Sequence, residues 1–215
     1  LSLQEYLPPR ERAKEAKAQM LVPELYREAE DQFIKATKRI EDDNVKDGLK
    51  EAEKSIPLFE NVELEAIRVD ILGQADRLIQ KAVEDEADKF ALSTLDKART
   101  ARSRADAVIT ADRYNREEAV AEARRAEYEA RHASNIAQQV RSLERNDQAW
   151  EKLILLYEIQ MNRVGEVIGA EHLPFDEGPL AAADTLIAYI RGLQSENQQT
   201  TAAKGEFHPL RQEPL

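Results

Sequence analysis

Apolar positions recur every three or four residues along almost the whole chain, the spacing that lines one face of an α-helix. The clearest run is NREEAVAEARRAEYEARHASNIAQQVRSL, from Asn115 to Leu143. Ala119, Ala123, Ala126, Ala130, Ala133, Ala137 and Val140 alternate in steps of four and three. That alternation keeps one seam of a helix turned toward a partner. Nearly all of the seam is alanine, so a neighbour can approach to about 8 Å between axes, the short end of the usual range. Val120, Tyr128, Ile136 and Leu143 flank the seam and are expected to pack on a third element. The pattern predicts a central helix of a bundle.

The rest of the chain follows the same period. Pro8 and Pro9 suit a helix start, and a first helix is expected to run to about Met20. Pro23 opens a second, with Leu25, Ala29, Phe33, Ala36 and Ile40 on one face. Asp42-Asp43-Asn44 reads as a turn that offers caps to the next helix. A long stripe follows through Val45, Leu49, Ala52, Ile56, Phe59, Val62, Ala66, Val69, Leu72, Ala75, Ile79 and Ala82. At 1.5 Å per residue this helix would exceed about 50 Å. Pro57 lies inside it and predicts a kink or a short break, because proline removes one backbone bond and crowds the preceding turn. Asp85 to Lys89 forms a connection, and Ala91, Leu95, Ala98, Ala105 and Ile109 mark the next helix. Asn115 with Glu118 fits a variant capping box for the alanine helix.

Trp150, Leu153, Ile154, Tyr157, Met161, Val164 and Ile168 then line one face of the most hydrophobic stretch, which ends near Gly165 and Gly169. After the loop His172 to Pro179, residues Leu180, Ala183, Leu186, Ile187, Ile190 and Leu193 make a last helix. The expected division is 1–22 with a short helix, 23–89 and 90–145 as two helical hairpins, 146–194 as a helical pair, and 195–215 as a polar linker or tail. The expected fold class is all-α, an elongated antiparallel bundle of two hairpins with a C-terminal helical cap.

The two hairpins share features. KRIEDDNVKDGLKEAE from Lys38 and AVITADRYNREEAVAEA from Ala107 both run helix, acidic turn, apolar residue, alanine-bearing helix. VELEA, Val62 to Ala66, resembles AEYEA, Ala126 to Ala130, but at a spacing that does not agree with the first match. Related hairpins and a chance likeness of two Ala/Glu-rich helices both fit these residues.

Composition supports helices. Charged residues make up 34%, aromatics 6%, and there are 7 glycines and 8 prolines. A hydrophobic content of 42% is too high for a disordered chain. The net charge of -11 and the interleaving of basic with acidic residues, as in Glu127 and Arg131, argue against nucleic acid and anionic membranes as partners. The absence of cysteine removes disulfides, thiol catalysis and zinc–thiolate sites. No apolar run approaches the ~20 residues of a membrane span, so direct membrane insertion is not expected. The sequence starts at Leu1 rather than Met, and a removed N-terminal segment is expected.

The Asp-Arg-Tyr turn (Asp112 to Tyr114), the alanine ladder, RRAEYEARHA (Arg124 to Ala133) and FDEGP (Phe175 to Pro179) resemble helical hairpin modules of bacterial cell-envelope proteins. In that group such hairpins precede an OmpA-like peptidoglycan-binding domain. The resemblance covers about Pro23 to Gln194. It implies a periplasmic helical spacer or interaction module whose partner is another protein or a second copy. Peptidoglycan would be reached only through a domain whose characteristic sequence is not in this chain. A weaker resemblance is to tetratricopeptide repeats, which would imply a soluble adaptor binding a peptide or helix; the expected 34-residue period is missing.

Little in the sequence points to chemistry. Glu129 and His132 have the Glu-x-x-His spacing of di-iron bundles, but those need two such motifs and further carboxylates. A solvated pair is the expected reading, and neither metal nor cofactor is expected. His172 and His208 have no nucleophile motif nearby. Asp42-Asp43-Asn44 lacks the ligand spacing and glycine of a calcium loop, and no glycine-rich phosphate loop is present. The Trp150–Ile168 stripe reads as core or as a partner groove or oligomer seam, with Trp150, Leu153, Tyr157 and Met161 as the candidate partner surface. The expected function is a non-enzymatic spacer or docking module.

Overall fold

The computed structural model describes residues 3–143, 149–170 and 172–206. The described residues are α-helical almost throughout, with no strand among them. The chain divides into two compact units, Leu1–Arg141 and Ser142–Leu215.

Unit 1 is threaded by one long helix. After a 3-10 turn at Leu3–Tyr6 come α1 (Leu7–Glu15), the single-turn α2 (Ala18–Leu21), α3 (Pro23–Glu41) and the 40-residue α4 (Val45–Glu84). The single-turn α5 (Ala87–Phe90), α6 (Leu92–Ala111) and α7 (Arg116–Leu143) follow. The N-terminal half of α4 packs on α1 and α3 through Ala13, Tyr26, Ala29, Phe33, Ala52 and Phe59. Its C-terminal half packs on α6 and α7 through Ile67, Ile71, Leu72, Ala105, Ile109, Ala119 and Ala123. The element around which this unit is built is therefore α4, and the alanine helix α7 is one of two helices laid against its second half. Pro57 does not break α4, which is continuous from Val45 to Glu84. The proline is exposed, so water can serve the carbonyl that it leaves unpaired.

The two halves of unit 1 repeat each other, bond for bond at their entry. Lys17 and Glu86 both adopt the left-handed conformation, with φ of 59° and 65°. Met20 N–H and Leu21 N–H donate to the Lys17 carbonyl at 3.0 and 3.1 Å; Lys89 N–H and Phe90 N–H donate to that of Glu86 at the same distances. Val22 and Ala91 then open the backbone, at φ of -138° and -144°, before the long helix begins. The buried positions follow the same register. Ala13, Ala18, Tyr26, Ala29 and Ala36 correspond to Ala82, Ala87, Leu95, Ala98 and Ala105. After the turn, Ala52, Ser55, Phe59, Val62, Glu63 and Ala66 correspond to Ala123, Ala126, Ala130, Ala133, Ser134 and Ala137, all buried.

In this register VELEA corresponds to residues 133–137 rather than to AEYEA. The register gains two residues across the second turn, one at the end of α6 and one in the turn itself, and the sequence match of VELEA to AEYEA lies one heptad away from it. Two other differences have local causes. The first helix does not reach Met20, because Lys17 leaves the right-handed region and splits it into α1 and α2. Val45, Val69 and Tyr128, expected to pack, are exposed.

Unit 2 contains α8 (Ala149–Ile168), a 3-10 turn at Phe175–Glu177 and α9 (Pro179–Glu206). α8 ends in a Schellman arrangement: Gly169 has φ +81°, Ala170 N–H donates to the Gly165 carbonyl at 2.9 Å, and Gly169 N–H reaches that of Glu166 at 3.4 Å. Gly165 is buried, and a β-carbon there would meet the Ala170 oxygen at 2.8 Å. Pro179 occupies the first turn of α9 as its fixed φ favours. The helix runs on to Glu206, past the end expected near Gln194, so residues 195–206 of the expected tail are helical.

Candidate interaction surfaces

The alanine seam of α7 faces inward. Ala119, Ala123, Ala126, Ala130, Ala133 and Ala137 are all buried, and Val140 is half-buried. Ala126 meets Ala75 of α4 and Ala101 of α6, one small residue from each helix. Ala133 and Ala137 join Ala82, Ala87, Ala91 and Leu95. These contacts position α4, α6 and α7 and leave the seam no free surface.

At the start of that seam the structure assembles a polar node that the sequence reading missed. Glu63 on α4 is only 3% exposed. Its Oε2 accepts from Arg12 Nε at 3.3 Å and from Arg113 Nη1 at 3.0 Å, and its Oε1 accepts from the Tyr114 hydroxyl at 2.9 Å. Arg113 also donates to the Glu60 carbonyl at 2.9 Å. The Tyr114 ring is exposed, but partial desolvation at this contact and the bond to Glu63 both raise its pKa, which keeps the phenol a donor. A buried carboxylate is tolerated only when paired and hydrogen-bonded in this way. Arg113 and Tyr114 lie in the second turn, 112–115, which is one residue longer than its counterpart at 42–44. In the second half the corresponding Ser134 donates instead to Asp85, which also accepts from Gln138 at 3.1 Å. The signal in the sequence was the Asp-Arg-Tyr turn, but its partner lies fifty residues away on another helix.

A cleft of about 180 Å³ adjoins this node, with Glu15, Ile67 and Arg116 in its lining. All three donors on Glu63 come from within the protein, so the node clasps α1, α4 and the turn between α6 and α7 together.

Unit 2 presents the opposite surface. In α8, Trp150, Ile154, Tyr157, Met161, Val164 and Ile168 form a stripe in steps of four and three. Trp150, Ile154, Tyr157 and Val164 are exposed; Leu153 and Met161 are half-buried. Val167 is 87% exposed, and on α9 Leu180 is 80% exposed, with Ile187, Tyr189, Ile190 and Leu193 also open. The four candidate partner residues, Trp150, Leu153, Tyr157 and Met161, thus lie on or beside an open apolar face. The chain matches no family model, no curated protein and no solved structure.

The remaining candidates are solvated. His132 is exposed, 3.9 Å from Glu129, with its ring 5.9 Å from that of Tyr128. No group of three metal-ligating side chains occurs among the described residues. His172 is exposed, and His208 lies outside the described residues. Asp42-Asp43-Asn44 is an open turn with Asp43 at φ 60°. Asn115 Nδ2 donates to Glu118 at 2.7 Å, a side-chain pair at the start of α7. Arg131 and Glu127 pair at 2.6 Å. No described helix is long and apolar enough to cross a membrane.

Proposed function

We propose that this chain is a non-enzymatic helical scaffold that docks a protein through unit 2. The observation that carries this reading is the apolar face of α8 and α9, open from Trp150 to Leu193. An exposed apolar surface of this extent favours coverage, since burial contributes about 25 cal/mol per Å². The stripe on α8 has coiled-coil spacing, so its occupant is a helix, from another protein or from a second copy. Unit 1 supports a spacer role, because each repeat shares α4 with the next and adds length without adding a reactive site. The resemblance of RRAEYEARHA and FDEGP to envelope hairpins makes the bacterial periplasm the proposed setting.

The test places a photo-crosslinking residue at Tyr157 in the native host, with sedimentation equilibrium of the purified chain alongside. We expect crosslinks to one protein, or to a second copy together with a concentration-dependent mass. Ile154→Lys should abolish either result. A strictly monomeric chain without adducts at Tyr157 would overturn the docking role. Fractionation that finds the protein in the cytoplasm would overturn the setting.

A further inference from the structure

Comparing the two repeats points to a second, polar site on unit 1. We propose that the cleft between α6 and α7, floored by Ala101, binds a small oxyanion, a carboxylate or phosphate group. Its volume is about 260 Å³, and three cations line it, Lys97, Arg104 and Arg125, with the hydroxyls of Ser93 and Thr100. No ion pair or hydrogen bond engages these three cations among the described residues. That is unusual in a chain of net charge -11, where most other arginines of the unit are paired. The acid in the lining, Asp96, is held by Arg99 at 3.2 Å.

The first repeat shows what has changed. There Gln32 takes the place of Ala101, and its amide donates to Glu51 at 2.8 Å. Lys54 takes the place of Arg125 and pairs with the same Glu51 at 2.9 Å. In the second repeat Glu51 becomes Glu122, whose buried Oε2 has no hydrogen-bond partner. A methyl group thus stands at the cleft where the first repeat has an amide, and Arg125 lines the cleft without pairing to Glu122. The outer stripe changed sign as well: Glu24, Glu28 and Asp31 give way to Ser93, Lys97 and Thr100. Two guanidinium groups, one ammonium and two hydroxyls at one cleft match the acceptor oxygens of a carboxylate or phosphate.

The test is calorimetric titration of the full chain at low salt, with inorganic phosphate in one arm and an acetylated, amidated tri-glutamate peptide in the other. Binding of one equivalent in either arm is expected, and the stronger arm identifies the source of the oxyanion. Arg104→Gln with Arg125→Gln should weaken that binding at least about tenfold, since each lost charge-assisted bond is worth about that factor. The matching pair in the first repeat, Lys35→Gln with Lys54→Gln, should leave it unchanged. All four side chains are exposed, so unfolding is not expected, and circular dichroism checks it. No saturable binding of either probe, or equal loss in both variant pairs, would overturn the proposal.

Discussion

The two repeats of unit 1 bury most of the same positions with different side chains. The first fills its core with rings: Tyr26 and Phe33 meet Phe59 edge-on at 6.1 and 6.4 Å, and the Arg10 guanidinium lies 5.4 Å from the centre of the Phe33 ring. In the second, Phe59 becomes Ala130, Tyr26 becomes Leu95, and the seam of α7 is almost all methyl groups. The difference teaches that a pattern of buried positions does not by itself set the volume between helices. Rings supply the buried volume in one repeat and methyl groups in the other, and both sets of side chains are buried.

Exchanging these solutions should fail in both directions. The largest effect is expected from Phe59→Ala, a cavity costing about 3–5 kcal/mol in urea unfolding. Ala130→Leu, the reverse error, should overpack the buried seam of α7 and cost about 1–3 kcal/mol. No loss of melting temperature there would mean that the seam is not closed. Gly48→Ala should cost ~1 kcal/mol, since the new β-carbon would meet Ile40 Cγ1 at 2.4 Å and the Ala36 oxygen at 3.0 Å. Its counterpart Ala119 already carries that methyl group.

Acid should test both halves. Burial opposes ionisation of Glu30, but hydrogen bonds from Arg10 and Tyr26 and the arginine's charge hold its pKa below the ordinary value. Hydrogen bonds from Ser134 and Lys81 do the same for Asp85. A lowered folded pKa gives stability that is present above the ordinary carboxylate range and lost as pH falls through the folded value. Glu30→Gln and Asp85→Asn should therefore flatten the acid limb of the stability curve, each in its own repeat. The smallest effect is expected at the entry turns. Lys17→Gly should raise stability by up to ~1 kcal/mol, because glycine carries no penalty at positive φ. Glu86→Gly should gain less, since it gives up pairs with Lys89 and Arg141.

Much of this fold was readable along the chain. The periods gave the helices α3, α4, α6, α7 and α8, and the alanine ladder pointed inward as its spacing required. The break at Lys17 was not readable, because lysine is a good helix former and nothing local forbids it from continuing. Neither was the helical continuation beyond Gln194, where the polar residues show no apolar period. Glu63 sits on a buried face amid helix formers, so nothing near it in sequence marks it as the centre of a polar node.

Local chemistry thus determined the all-α class, the turn sites and the inward seam, because helix period and the cost of hydrating apolar stripes act over a few residues. The tertiary structure alone decided that α4 is shared between two repeats, that a longer turn brings Arg113 and Tyr114 to Glu63, and that the richest apolar stripe, on α8, stays uncovered. Those outcomes depend on contacts between residues far apart in the chain, and on which faces find a neighbour, which no stretch of sequence carries by itself.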